Sequence, residues 1–296
     1  VPPRAVPAAQ TGNADGGMEG AVAAREGNVD FLFEGKVVVI TGAGGNFGRA
    51  GAEYFAKAGA NVAMLEVSES ALEEAFQAVE PLIRPGKQCV KMVCDITNPV
   101  QVVEVVDRIV RELGRIDHLW NNAGYQGEMK PTHEYPIEDF ARVVNINVTG
   151  SFVMLQTVAK AMISSKTTGS IVNTASVAAL RGTPTMSAYV ASKSALIGLT
   201  MSTAKDLAPF GIRVNAVSPA LIGPGFMWDR QNELHAQSGS PYFSRDPETV
   251  ASAKVNSVPL KRLGSIDEVV QSVAFLLSSS SSYVTGTNLV VSGGLA

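Results

Sequence analysis

From Lys36 onward, short runs of β-branched and apolar residues alternate with longer stretches in which apolar residues recur every three or four positions. The runs predict strands over 36–41, 61–66, 88–94, 116–121, 170–175, 212–217 and 287–292. Connections between the first six are about 20 residues or longer, too long for hairpins and sufficient for a crossover helix, so the predicted sheet is mostly parallel and doubly wound. Runs such as VVVIT and IRVNAV are apolar on both faces, as strands covered by helices on both sides must be. One connection breaks the pattern. About 45 residues, rich in Gly, Pro, Met and aromatics, separate Pro219 from the helical period that starts near Ser265. A loop of that length in a compact domain is expected to be a lid, so 221–259 is read as a mobile substrate lid with Gly223 and Gly225 as hinges and Phe226, Met227 and Trp228 as its closing face.

Composition separates the N-terminus from this domain. Residues 1–30 hold seven Ala, five Gly and three Pro but no aromatic residue. That is too little apolar surface to offset ordering entropy, so a flexible tail is expected before a single domain over 31–296. The chain starts with Val rather than Met, as after removal of a targeting segment. Twenty-four basic and 27 acidic residues give a net charge of −3, and no Lys/Arg run is dense enough to neutralise several phosphates, so nucleic acid is not an expected partner. No stretch of 18 apolar residues occurs, and no membrane span is expected. Cys89 and Cys94 are an odd number of positions apart in one predicted strand and so face opposite sides of the sheet. Unpaired thiols suit a reducing compartment: the cytoplasm or, after loss of a targeting segment, an organelle matrix.

The candidate chemistry lies where predicted strands end. The first runs into Thr41-Gly42-Ala43-Gly44-Gly45-Asn46-Phe47-Gly48 and then a helical period to about Ala58, a strand, turn and helix N-terminus of the kind that cradles a phosphate. The second ends at Glu66, where a carboxylate accepts hydrogen bonds from ribose hydroxyls and repels a 2′-phosphate; Val67 after it supplies no positive charge, which favours NAD over NADP. Asp95 closes the third strand and Asn121-Asn122-Ala123-Gly124 the fourth. The fifth delivers Ser176 to the same edge, and Tyr189 and Lys193 follow at i and i+4 on one helix face. An ammonium beside a phenol stabilises the phenolate, which makes Tyr189 a candidate base toward an alcohol.

These segments in this order resemble the short-chain dehydrogenase/reductase family from about Phe33 to the C-terminus, through TGAGGNFG, NNAG, Ser176, YVASK and TGTNLVVSGG. Within it, NNAGYQG, INVTG, IVNTAS and GPGFMW are most similar to the bacterial NAD-dependent xylitol (polyol) dehydrogenase type. The resemblance implies a single seven-stranded Rossmann-type α/β domain. It implies Tyr189 as general acid/base, Lys193 as the group that lowers its pKa and binds the nicotinamide ribose, Ser176 on the reacting oxygen, and Asn147 in a water relay. It places NAD on Gly42, Asn46, Phe47, Gly48, Glu66, Asp95, Ile96, Asn122, Ala123, Gly124, Tyr189, Lys193, Pro219 and Ile222. It also implies a homo-oligomer, dimer or tetramer, paired through helices over roughly 138–164 and 187–207. The chain departs from the family pattern at Asn46, Ala220 and Pro224; Asn is the non-glycine residue most tolerant of left-handed backbone, so the first change is read as mild.

Other conspicuous residues read as structural. His118 begins a buried strand at the edge away from the site. His133 and His235 fall in predicted loops without a second ligand at metal spacing, so no metal is expected. Trp228 either walls the substrate pocket or anchors the long loop. The expected activity is NAD-dependent oxidation of a secondary alcohol, a sugar alcohol such as xylitol, with Gln126, Ser176 and Trp228 as substrate contacts. The alternatives are an NADP-dependent ketoreductase of the 3-oxoacyl carrier-protein reductase type, against which Glu66 argues, and a non-catalytic NAD-binding regulator, which has no need of the Ser176, Tyr189, Lys193 and Asn147 set.

Overall fold

A computed structural model of the chain describes residues 33–296; the tail expected over 1–30 lies outside them. Seven strands, β1 (Val37–Thr41), β2 (Asn61–Glu66), β3 (Cys89–Val93), β4 (His118–Asn121), β5 (Gly169–Thr174), β6 (Ile212–Pro219) and β7 (Asn288–Val291), fall within two residues of the predicted bounds. They form one sheet in the order β3-β2-β1-β4-β5-β6-β7. Every neighbouring pair is parallel, where the sequence predicted a mostly parallel sheet. The order reverses between β1 and β4, and the crevice at the carboxyl ends of these two strands is where open α/β sheets hold ligands.

Ten α-helices complete the described fold: α1 (Asn46–Lys57), α2 (Glu69–Val79), α3 (Pro99–Leu113), α4 (Ile137–Val144), α5 (Ser151–Ser164), α6 (Ala178–Arg181), α7 (Ser187–Leu207), α8 (Phe226–Gln237), α9 (Pro247–Ser257) and α10 (Ile266–Leu277). The alternation of side chains along each strand divides the core into two layers. Val37, Val39, Ala63, Leu65 and Ile171 pack with α3, α5 and α7. Val38, Ile40, Val62, Met64 and Val172 pack with α1, α2 and α10. Cys94 belongs to the first layer and Cys89 packs against the second, so the two thiols are on opposite faces and both are free. Helix ends follow local chemistry. Asn98 caps α3 ahead of Pro99, and Ser265 and Glu268 close a capping box on α10.

A π-turn over Asn145–Gly150 joins α4 to α5. The run Ile137–Ser164 is long and apolar enough to cross a membrane by length alone. Its buried positions, Met154, Leu155, Val158, Ala159 and Met162, are however occupied by the sheet core. His118 is the first residue of β4, at the amino edge of the sheet, and burial holds its imidazole well below its ordinary pKa. The segment after β6 differs from the single long loop predicted. It contains α8 and α9, the second introduced by an Asp246 cap and Pro247 in its first turn. These two helices carry weak apolar periodicity, which is why the period alone did not show them. His235, predicted in a loop, is buried in α8.

Gly51 of α1 lies against Trp120 of β4: a Cβ there would stand 2.1 Å from the indole ring. Both are in the packed interior, so there is no room for the methyl to displace. Gly51→Ala is therefore expected to destabilise the protein by about 1–3 kcal/mol despite its better helix propensity, as read by denaturant unfolding.

Candidate active site

The turn after β1 is shaped by two glycines. Gly42 has φ +67, and a Cβ on it would stand 2.9 Å from the Ala123 backbone; a Cβ on Gly48 would stand 2.2 Å from the Gly42 carbonyl. The helix α1 therefore approaches the turn closely, and its first turn contains no acidic residue and no side-chain cap. Open amides and the helix dipole at that point suit an anion. Asn46 is the first residue of α1 and is not among the residues of positive φ, so the tolerance of Asn for left-handed backbone is not what admits it here.

The turn is tied to β4 by the Thr41 hydroxyl, which accepts from the amides of Asn122 (2.9 Å) and Ala123 (3.0 Å). Asn122 returns a bond from its amide nitrogen to the Thr41 carbonyl at 3.2 Å. Glu66, at the end of β2, is held by three backbone amides: Gly44 at 3.2 Å on one carboxylate oxygen, Val67 at 2.9 Å and Ser68 at 3.2 Å on the other. A carboxylate with two oxygens has about four acceptor positions, so one is left for a ligand.

At the other half of the edge, α7 carries Tyr189 and Lys193 on one face. Lys193 is buried and its Nζ donates to the Thr174 carbonyl at 2.7 Å. Burial brings its pKa down to about 8. Tyr189 is raised above the usual tyrosine value, chiefly by burial, with the Ser176 hydroxyl acting in the opposite direction. The Lys193 ammonium lies 5.6 Å from the centre of the Tyr189 ring, with one N–H on the Thr174 carbonyl. Asn147 sits in the π-turn, fully buried. Its carbonyl oxygen accepts from the Tyr125 amide at 2.7 Å, and its nitrogen donates to the Tyr125 carbonyl at 2.8 Å and to Ser192 Oγ at 2.9 Å. Ser192 in turn donates to the Tyr189 carbonyl at 2.8 Å. Asn147 thus links the segment after β4 to the start of α7, in a helix irregularity of the type that recurs at functional sites.

These parts surround one cavity of about 570 Å³. Gly42, Asn46, Phe47, Glu66, Asn122, Ala123, Gly124, Pro219 and Ile222 line it, as do Ser176, Tyr189, Lys193, Gln126 and Trp228. Gly48, Asp95, Ile96 and Asn147 do not. Gly48 is hidden under the turn, and Asp95 turns its carboxylate to the amide and hydroxyl of Thr97 at 2.9 and 2.7 Å. Ile96 packs where a Cβ on Gly150 would stand 2.8 Å from it, and Asn147 acts through its bonds. Met227 and Trp228 line the cavity, but Phe226, expected beside them, is 70% exposed and outside it. Trp228 is both wall and anchor: it is buried, and Lys254 Nζ lies 5.4 Å from its ring centre. The sequence reading missed Arg181, Gln231, His235, Phe243 and Lys254, all of which line the cavity. Gln231, His235, Phe243 and Lys254 fall in the long segment, whose composition was the signal toward them, whereas Arg181, at the end of α6, carried none. Among the described residues no group of three His, Cys, Asp or Glu is placed to hold a metal.

Comparison with known proteins agrees with this geometry. Residues 42–296 match the family model described as enoyl-(acyl carrier protein) reductase. Levodione reductase of Leifsonia aquatica is 36% identical over 262 residues, covering 88% of this chain and 94% of that protein. A 3-oxoacyl-(acyl-carrier-protein) reductase of Thermotoga maritima is 38% identical over 262 residues, 88% and 98% of the two chains. Among solved structures, NAD+-bound xylitol dehydrogenase superposes with a TM-score of 0.86 at 50% identity, covering 88% of this chain and 99% of that one.

Proposed function

We propose that this chain, which belongs to the short-chain dehydrogenase/reductase family and is an oxidoreductase acting on alcohol/ketone pairs, is an NAD-dependent dehydrogenase of a polyol. The observation that carries the cofactor choice is Glu66. Its carboxylate stands on the cavity surface, fixed by three backbone amides, and neither Val67 nor Ser68 after it brings a cation that would accept a 2′-phosphate. The likeness to the NAD+-bound xylitol dehydrogenase supports the same choice. The 3-oxoacyl reductase relative keeps an NADP-dependent ketoreductase as the rival, and Glu66 weighs against it.

The residues present fit a dinucleotide. The glycine turn is a cradle that a Cβ would fill, the α1 N-terminus is free of acidic residues, and Glu66 has an acceptor position to spare. Gly42, Asn46, Phe47 and Glu66 would hold its adenosine and phosphate side, and Gly124, Lys193, Pro219 and Ile222 its nicotinamide side. When bound, the nicotinamide supplies a hydride acceptor. Ser176 hydrogen-bonds the substrate oxygen, and Tyr189 removes the hydroxyl proton. Lys193, with one N–H on Thr174, keeps two for ribose hydroxyls. Asn147 holds Tyr125 and Ser192, and so keeps the cavity wall and the start of α7 in register. Residues 221–259 form the lid on the substrate side. The polyol reading is supported by Gln126: its carbonyl oxygen is taken by Gln231 at 3.1 Å, while its buried nitrogen has no partner and would find one in a substrate hydroxyl.

The proposal includes a homo-oligomer formed through α4, α5 and α7, which expose Ile137 (80%), Phe152 (40%) and Met201 (50%). Light scattering at micromolar concentration is expected to give at least a dimer mass; a monomer would contradict it.

Oxidation should be far more efficient with NAD than with NADP, measured by absorbance of the reduced nicotinamide. Glu66→Ser should narrow the preference by about 1–3 kcal/mol, because it removes an acceptor for the ribose and a charge that repels the phosphate. Equal use of both cofactors by the unaltered protein would sink the assignment. Tyr189→Phe is expected to abolish turnover while cofactor affinity, read by fluorescence titration, changes little. Because burial raises the Tyr189 pKa, its basic form is populated only as pH rises. The kcat/KM for oxidation should accordingly climb from neutral into alkaline pH, and a flat profile would contradict Tyr189 as the base.

A further inference from the structure

The substrate side of the cavity contains a polar group that the proton-transfer machinery does not use. On α8, Asn232 and His235 are three residues apart and share a face; both are buried, each at 3% exposure. Lys254 reaches them from α9. Its Nζ donates to Asn232 Oδ1 at 2.7 Å and bonds His235 Nδ1 at 2.9 Å. No carboxylate of the described residues forms an ion pair with it. Burial brings its pKa to about 8, so at neutral pH it is an ammonium held by neutral acceptors alone.

An ammonium has only protons to give, so His235 Nδ1 must be the acceptor, which puts the proton of the neutral imidazole on Nε2. Burial and the adjacent ammonium hold that imidazole down to about 4, against the Gln231 backbone carbonyl, which acts in the opposite direction, and so keep it neutral. The Phe243 ring, with its centre 4.1 Å away, fixes its plane. His235 Nε2 is buried and has no partner in the protein. Four buried side-chain polar atoms are orphaned among the described residues, and two of them, Gln126 Nε2 and His235 Nε2, belong to residues lining this one cavity. Both are donors. Lys254 has a third N–H left after Asn232 and His235. A tether between two helices needs only the Lys254–Asn232 bond, and it leaves unexplained why a buried imidazole N–H faces no acceptor, a cost that native interiors otherwise avoid.

We propose that Lys254 and His235 form a second recognition point, which binds a hydroxyl oxygen of the substrate on a carbon remote from the one oxidised and selects chain polyols over simple secondary alcohols. The inference rests on the polyol reading above. It makes the lid helices specificity determinants, with Asn232 and Trp228 as positioning residues for Lys254.

The test compares xylitol with 2-butanol, each oxidised with NAD by the full chain. Lys254→Met keeps the stem over Trp228 and removes the donors; His235→Phe keeps the ring against Phe243 and removes the N–H. The ratio of kcat/KM for xylitol to that for 2-butanol is expected to fall about 10–100-fold in the first variant and about 10-fold in the second, mostly through KM for xylitol. Residual 2-butanol turnover shows that each variant folds, and the ratio is independent of any common loss. An unchanged ratio in both variants, whatever the absolute rates, would overturn the inference and leave a plain helix tether. Wild-type oxidation of 2-butanol but of no polyol would instead overturn the polyol reading itself. A sodium xylonate arm separates charge from hydrogen bonding: preference for the carboxylate over xylitol would overturn the assignment of a hydroxyl to this point.

Discussion

The site depends on one junction, the hydroxyl of Thr41 accepting the backbone amides of Asn122 and Ala123 across the point where the strand order reverses. In a doubly wound sheet the helices leave β1 and β4 in opposite directions, so the carboxyl ends of these strands open into a crevice. The backbone pairing of the two strands ends at Ile40 and Trp120, one residue short of that opening. Thr41 closes them at the base while leaving the crevice above, and Asn122 seals the other side through its bond to the Thr41 carbonyl. The same closeness makes Gly42 obligatory, since any Cβ would strike Ala123.

From that junction a chain of buried polar contacts reaches the chemistry. The Trp120 indole donates to the Thr174 hydroxyl at 2.9 Å, and Thr174 offers its carbonyl to Lys193. Asn121 bonds Asn173 at 3.1 Å, and Asn173 bonds Thr200 of α7 at 2.9 Å. The end of β5 and the face of α7 are therefore fixed by the same interior that packs α1 over Trp120. Asn147 adds the third side through Tyr125 and Ser192. Asn121, Asn173 and Asn147 find their partners within the protein, the condition under which buried polar networks specify geometry rather than cost stability, and only the Lys193 ammonium at the end of the set keeps donors to spare.

The substrate side is built differently. Its donors on Gln126, His235 and Lys254 exceed the acceptors that the protein supplies, and its walls come from α8 and α9 rather than from the sheet. A half tied together by internal hydrogen bonds, which contains Tyr189 and Lys193, thus meets a half with polar groups left without protein partners. This division separates the sheet-built frame from the helices to which substrate selectivity is assigned in the proposal above.

What the sequence determined by itself is the sheet and its working edge. Period-two burial and two-sided apolar runs are properties of single strands, so all seven could be read from 36–41 to 287–292, and Ser176, Tyr189 and Lys193 followed because strand ends and i, i+4 spacing are local. Glu66 was readable for the same reason. Tertiary structure decided the rest. Asp95 and Ile96 follow β3 at the right edge, and only the packed structure shows that Asp95 Oδ1 accepts from Thr97 and that Ile96 lies against Gly150. Asn46 looked like a left-handed position and is the first residue of a helix. The segment 221–259 read as a loop because α8 and α9 have little apolar period to show, and the meeting of Lys254 with His235 joins residues on two helices whose relative placement no local pattern encodes. Spacing of i and i+4 brings an ammonium near a phenol, but only the packed structure shows that the same ammonium also donates to the Thr174 carbonyl and that burial pushes the phenol upward.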